Sequence, residues 1–231
     1  GSSNTATGSL LQTRGVKYDY ATMPVWALAS VAEVMVGWSD ITKSYKDFLT
    51  RKDLIFGMEG LPNPSAATWI ILKEACGFKS KDVLAFQGGA DRALAWYQKE
   101  TNLTWLTSPQ YSQSAKSVVE NGKAIKLMQS GLLNKKGEMI RSTYFKDTPT
   151  TGEVWKDLTG KDPSGIEWEA TLALLGYART CNKPALLPKG TPDKIVNIFR
   201  NAAEKMLQDP EYQKAAKKVF GDDPQYAGEE A

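Results

Sequence analysis

Histidine is missing from this chain of 231 residues, and cysteine occurs only twice. Without histidine the chain cannot form a Ser-His-Asp triad or a Cys-His nucleophile pair. It also lacks the commonest zinc ligand, which two distant cysteines cannot replace. We therefore expect no enzyme of these types, no metal site and no cofactor. Cys76 lies in a helical pattern typical of a small buried residue, and a disulfide to Cys181 stays open as an alternative.

Long apolar runs and a strong net charge are also missing. No stretch of about 18 apolar residues occurs that would span a membrane. The net charge is only +3, and the basic and acidic residues are interspersed. No basic stripe therefore indicates a nucleic-acid partner. The hydrophobic share of 42% is that of a globular protein with a sizeable core. A chain of this length forms one large domain or two small ones.

Two segments share one pattern, in which an apolar strand leads through a glycine turn into a helix. The first is residues 54–65, which lead into the helical run 66–76, and the second is residues 83–91, which lead into the helical run 92–98. Asn63 and Pro64 are preferred residues for the N-cap and the first position of a helix. Helix starts carry unpaired N–H groups and a partial positive charge. Two of them side by side at the ends of sheet strands predict a site for an anion such as a carboxylate.

The remaining pattern alternates strands with helices. We predict strands over residues 25–36, 54–56, 83–86, 103–106 and 124–128, and helices over 45–50, 64–76, 90–98, 112–120, 166–180, 192–208 and 210–220. Such alternation is typical of an α/β fold with mostly parallel sheets flanked by helices.

Four motifs, in order, resemble the substrate-binding receptors of tripartite tricarboxylate transporters, a group of extracytoplasmic solute receptors. They are Phe56-Gly57-Met58-Glu59-Gly60 with a helix ending at Gly77, Phe86-Gln87-Gly88-Gly89-Ala90-Asp91, Asp147-Thr148-Pro149-Thr150 with Glu153, and Leu187-Pro188-Lys189-Gly190-Thr191-Pro192 with Asp209-Pro210-Glu211. The last motif is the most specific, and the resemblance covers residues 17–221.

The resemblance implies a two-lobed fold of the type II periplasmic-binding-protein class, with a ligand held between the lobes. We expect residues 1–37 and 133–231 to form lobe 1 and residues 38–132 to form lobe 2. The usual first strand-loop-helix unit precedes the part of the family that this chain matches, so we expect lobe 1 to be incomplete. Two features depart from the family: Glu59 replaces a small hydroxyl residue, and the segment 99–102 replaces a Gly-x-x-Asp segment.

The expected ligand contacts lie at the two helix starts and at the end of the strand over residues 103–106. They are Met58, Glu59, Gly60, Asn63, Ser65, Gln87, Gly88, Gly89, Ala90, Asp91, Thr107 and Ser108. Each has a plainer alternative, because every α/β protein has strand-to-helix turns and an acid such as Asp91 offsets the helix dipole. For Trp69, Trp96, Trp105, Trp155 and Trp168, we expect packing rather than ligand stacking.

The resemblance therefore predicts a periplasmic receptor, not an enzyme, that captures a small organic carboxylate and delivers it to integral membrane subunits of a transporter. We expect a monomer, and the chain does not begin with a signal-peptide pattern. A sensory or scaffolding domain that binds a protein partner is the alternative. A lyase that uses Glu59 or Asp91 as a general base ranks third.

Overall fold

The computed structural model describes residues 1–60 and 63–231, except for the side chain of Asn4. The strands are β1 Val25–Ala29, β2 Glu33–Trp38, β3 Ile55–Gly57, β4 Lys81–Val83, β5 Leu103–Thr107, β6 Ala124–Gln129, β7 Leu132–Leu133, β8 Met139–Ile140, β9 Lys183–Leu186 and β10 Gln225–Ala227. The α-helices are α1 Ser3–Leu10, α2 Pro64–Cys76, α3 Gly89–Tyr97, α4 Ser108–Gln110, α5 Lys116–Glu120, α6 Thr151–Thr159, α7 Ile166–Leu175, α8 Asp193–Gln208 and α9 Pro210–Phe220. Short 3₁₀ turns include Tyr45–Leu49, and π-helical turns span Tyr111–Ala115 and Gly176–Thr180.

The central sheet has the strand order β4-β3-β5-β2-β6. Strands β4, β3 and β5 run parallel, whereas β2 is antiparallel to both of its neighbours. Glu33 at the start of β2 therefore pairs with Thr107 at the end of β5. We call this end of the sheet, where β3, β4, β5 and β6 finish and β2 begins, its upper end.

Helices cover both faces of the central sheet. On one face Trp69 of α2 and Trp155 of α6 pack around Met35 of β2. On the other face Trp96 of α3 and Val118 of α5 pack against neighbours of Met35 in the same strand. Adjacent residues of a strand point to opposite faces, so β2 contributes to both cores. These tryptophans are buried, as is Trp105, which confirms that they pack in the core.

A smaller antiparallel sheet of order β10-β1-β9 lies outside the central one. Helix α8 packs on it, and the rings of Trp26 and Phe199 lie 5.5 Å apart. The hairpin of β7 and β8 stands beside the π-helical turn that follows α7. The division into lobes at residues 37 and 132 stays a prediction.

Several sequence predictions need correction. The strand predicted over residues 25–36 is two strands in two sheets, because Ser30 donates its N–H to Pro224 and Val31 donates to Arg179. The sheets are mixed rather than mostly parallel, since among the strands given above only β4, β3 and β5 pair in parallel. The strand predicted over 83–86 lies at Lys81–Val83 instead.

Two predicted helices change character along their length. Those over residues 112–120 and 166–180 each contain a π-helical turn, so they are not uniform α-helices. Both cysteines are free thiols, which closes the disulfide alternative in this structure.

Candidate functional site

Three helix starts lie at the upper end of the central sheet. Helix α2 follows β3, and its N-cap Asn63 accepts hydrogen bonds from the N–H groups of Ser65 (2.8 Å) and Ala66 (3.4 Å). Helix α3 follows β4, and its N-cap Gly88 provides no side-chain cap. Helix α4 follows β5 directly, and Thr107 and Gln110 form a reciprocal capping box there. Because the parallel strands finish at the same end, the starts of α2 and α3 lie together as the sequence predicts, and the start of α4 joins them.

The first glycine segment, the second and the end of β5 meet around Gly89. A Cβ atom added to Gly89 would overlap the side-chain nitrogen of Gln110, and it would lie 3.5 Å from Glu59 Oε1. Glu59 belongs to the first segment, Gly89 to the second, and Gln110 caps the end of β5. A side chain at Gly89 would therefore intrude where all three segments meet.

One buried ion pair joins the start of β2 to the start of α2, and we call it the Arg179 cluster. Arg179 Nη2 lies 2.6 Å from Glu33 Oε2 and 2.8 Å from Ser65 Oγ. Ser65 in turn donates to Glu33 Oε2 at 2.7 Å. The side chains of Arg179 and Glu33 are only 4% and 6% exposed. Burial lowers the pKa of Arg179, and the Glu33 carboxylate opposes that shift.

A second pair, the Arg92 cluster, lies between the starts of α2 and α3. Arg92 Nη1 is 3.3 Å from Glu59 Oε1, and Asn63 donates to Glu59 Oε2 at 2.6 Å. The side chain of Arg92 is 3% exposed and that of Glu59 is 12% exposed. Arg92 Nε is buried and has no hydrogen-bond partner among the described residues. Burying a donor without a partner carries a free-energy cost, so the Nε–H of Arg92 is a donor that a ligand acceptor could satisfy.

The hydroxyl of Ser108 is also left without a partner. Ser108 is fully buried at the start of α4, and no described residue forms a hydrogen bond with its Oγ. Its N–H donates to the carbonyl of Ala32 at 3.2 Å, just before β2. The hydroxyl therefore stands at the upper end of the sheet with both its donor and its acceptor capacity free.

The remaining predicted contacts surround these clusters. Met58 is buried, with its N–H 2.8 Å from the carbonyl of Val83, and Gly60 adopts a φ of +115° that favours glycine. Gln87, Ala90 and Asp91 are exposed along the approach to α3. Leu61 and Pro62, within the first predicted loop, lie outside the described residues. A role for the twelve residues in ligand contact stays a prediction.

Sequence reasoning missed Glu33, Arg92, Arg179 and Gln110. Glu33 lies within an apolar run, between Val31-Ala32 and Val34. Arg179 directly follows the mostly apolar segment 166–178. A charge in such a run is normally buried, and a buried charge needs a partner. That signal indicates two buried ions, although it does not indicate that they pair with each other.

The structure bears on two further expectations. In the described ranges 1–60 and 63–231, no helix is long and apolar enough to cross a membrane. The same residues contain no group of three or more acidic or cysteine side chains placed to hold a metal ion.

No protein-family model and no curated protein sequence matches the chain. Its structure is similar to that of a TctC solute-binding protein from Polaromonas, with 16% sequence identity and a TM-score of 0.57 over 98% of this chain and 69% of that one. It is also similar to MatC from Rhodopseudomonas palustris, solved with bound malate, with 15% identity and a TM-score of 0.58 over 94% and 66%.

A third similar structure is an R. palustris protein solved with adipate, with 17% identity and a TM-score of 0.62 over 93% of this chain and 63% of that one. The chain thus spans about two thirds of the length of these proteins. At such low identity the similarity establishes the fold, which is α/β as predicted. The chain has the two-lobed fold of the periplasmic solute-binding proteins, with TctC-type proteins among its structural relatives.

Proposed function

We propose that the chain is an extracytoplasmic solute receptor of the tripartite tricarboxylate type, and that it binds a small organic carboxylate at the upper end of the central sheet. One observation carries this proposal: three helix starts converge there around two buried arginines, Arg92 and Arg179. Helix starts and guanidinium groups both attract carboxylates, and burial strengthens that attraction.

The ligand contacts we propose are backbone N–H groups of residues 59–60 and 88–91, together with polar side-chain groups of Asn63, Ser65, Gln87, Thr107 and Ser108. The free hydroxyl of Ser108 supports this set, because it is a buried polar group still lacking a partner. The malate and adipate named for two structural relatives are both dicarboxylates. We therefore assign this chain a ligand with one or two carboxylate groups.

The binding mechanism requires no covalent chemistry. The two lobes close around the ligand, helix-start amides donate hydrogen bonds to it, and closure excludes water. The receptor acts as a monomer and hands the ligand to integral membrane subunits of the transporter. It meets these subunits in the periplasm.

Isothermal titration calorimetry against a panel of mono- and dicarboxylates, with malate and adipate included, tests this function. The receptor function predicts saturable binding of at least one member with a stoichiometry of one. Folded protein that gives no heat with any member of the panel contradicts it.

A sensory or scaffolding domain remains the second candidate, and one observation favours it. Glu33 and Glu59 already pair with both buried arginines, so protein side chains satisfy part of the positive charge. In that case the calorimetric panel is silent, and a crystal structure shows no enclosed cavity between the lobes at the upper end of the sheet.

A further inference from the structure

Glu59 occupies a position that a ligand carboxylate would be expected to take. Its Oε1 lies near the first residue of α3 and 3.3 Å from Arg92 Nη1. Its Oε2 accepts from the amide of Asn63, the N-cap of α2. One carboxylate of the protein therefore already lies between the two helix starts that define the proposed site.

The surroundings of Glu59 form a carboxylate subsite of their own. Arg92 supplies a guanidinium that is 97% removed from solvent, and its Nε still lacks a partner among the described residues. Asn63 supplies an amide donor, and α3 supplies an N-terminus that no side chain caps. These donors would bind any carboxylate of suitable shape, whether it belongs to the protein or to a ligand.

We propose that Glu59 is a resident substitute for the ligand's carboxylate, and that one carboxylate of the ligand displaces it from Arg92 and the start of α3. This inference rests on the proposed receptor function. The ligand class it assigns is a dicarboxylate, with one carboxylate at Arg92 and the second directed toward the side-chain amide of Gln110, which lies against Gly89.

Displacement by a ligand makes Glu59 a determinant of affinity. In the unbound protein the Arg92–Glu59 contact must break before the ligand can use Arg92, and two carboxylates at one guanidinium repel each other. Removing the negative charge at residue 59 should therefore tighten dicarboxylate binding. A charge-assisted hydrogen bond corresponds to a change of about tenfold to a hundredfold in Kd.

The first experiment compares the wild type with Glu59→Gln by calorimetry, using adipate and malate. The glutamine keeps the shape and the contact with Asn63 but lacks the charge, and we expect at least about tenfold tighter binding. Asp82→Ala is the matched control: Asp82 is 15% exposed and paired with Lys73, yet it lies on β4 outside the site. The control should leave the Kd unchanged.

Equal or weaker binding by Glu59→Gln overturns the displacement while the receptor function stands, since the wild type still binds. No binding by either protein removes the receptor function and the displacement together. The two failures are therefore distinguishable.

The second experiment does not depend on the natural ligand. Glu59→Ala leaves the Arg92 guanidinium without its carboxylate, so we expect a lower melting temperature than the wild type has. Sodium acetate should fill the vacated position and raise the melting temperature of this variant. Acetamide at the same concentration, with sodium chloride matching the ionic strength, should not.

A gain specific to acetate in Glu59→Ala, absent from the wild type, supports a carboxylate subsite at Arg92. No gain, or the same gain in the wild type, overturns it. If Glu59→Ala does not fold, Glu59→Gln takes its place in the same comparison. In Glu59→Gln the side-chain amide stays near Arg92, although it is a poorer partner than a carboxylate. We therefore expect acetate to raise the melting temperature of this variant as well, but by less than that of Glu59→Ala.

Discussion

Removing the carboxylate of the Arg179 cluster should destabilise the fold strongly. In Glu33→Ala, Arg179 loses its contact at 2.6 Å and Ser65 loses the acceptor of its hydroxyl. The guanidinium is 4% exposed, so water cannot replace the carboxylate without opening the structure. Leaving one partner of a buried ion pair uncompensated costs about 3–5 kcal/mol in the free energy of unfolding.

For a chain of this length each kcal/mol corresponds to a shift of about 2–4 °C in melting temperature. Glu33→Ala should therefore melt roughly 6–20 °C below the wild type. Differential scanning calorimetry measures the shift, and circular dichroism at low temperature checks that the variant folds. A loss smaller than about 1 kcal/mol in the free energy of unfolding would refute the view that removing Glu33 leaves the Arg179 guanidinium buried without a compensating charge.

A double substitution separates the pair from the rest of its surroundings. Glu33→Met combined with Arg179→Met removes both charges, and an apolar replacement of a buried pair is often close to neutral. The double variant should therefore be more stable than either single variant, which leaves one charge unpaired. Losses that simply add would show that the two side chains do not interact.

Three further changes test other parts of the structure. Gly89→Trp should abolish carboxylate binding with an unchanged far-UV spectrum, because its side chain displaces Gln110 at the mouth of the site; retained binding would contradict the site. Ala203→Asp buries a charge at a position that is 1% exposed, so it should lower the free energy of unfolding by about 3 kcal/mol or more. Phe199 is 40% exposed, so Phe199→Asp should lower it by less in the same melting experiment. Burial raises the pKa of the Cys76 thiol to about 11. In a Cys181→Ser variant, the rate of its alkylation by iodoacetamide should therefore be low at neutral pH and rise about tenfold per pH unit up to that pKa. Fast labelling that does not depend on pH would contradict the burial of Cys76.

Local chemistry explains why some elements are predictable. Asn63 and Pro64 at the start of α2 and Gly77 after its end predict a helix over residues 64–76, and α2 has those bounds. Gly77 adopts a φ of +73°, as a left-handed C-cap requires. The meeting of the two glycine segments is likewise predictable, because strand-turn-helix units in one parallel group finish at the same end of a sheet.

Features set by distant partners were not predictable from local patterns. The apolar run over residues 25–36 reads as one strand, yet Ser30 and Val31 donate to the carbonyls of Pro224 and Arg179, far along the chain. The partner of Arg179 was equally hidden, because Glu33 lies 146 positions away. The occupation of the predicted anion site by Glu59 depends on where the Arg92 side chain points, which sequence spacing does not encode.

The central claim is that carboxylates bind at the helix starts of the upper end of the sheet. An amide-resolved NMR titration with adipate tests it most directly, because each N–H of the site reports separately. The claim predicts that the largest shifts fall on the amides of residues 59–60 and 88–91, with the Arg92 side-chain signal moving at the same ligand concentration. Saturable shifts confined to the sheet of β10, β1 and β9, or to α8, would contradict it.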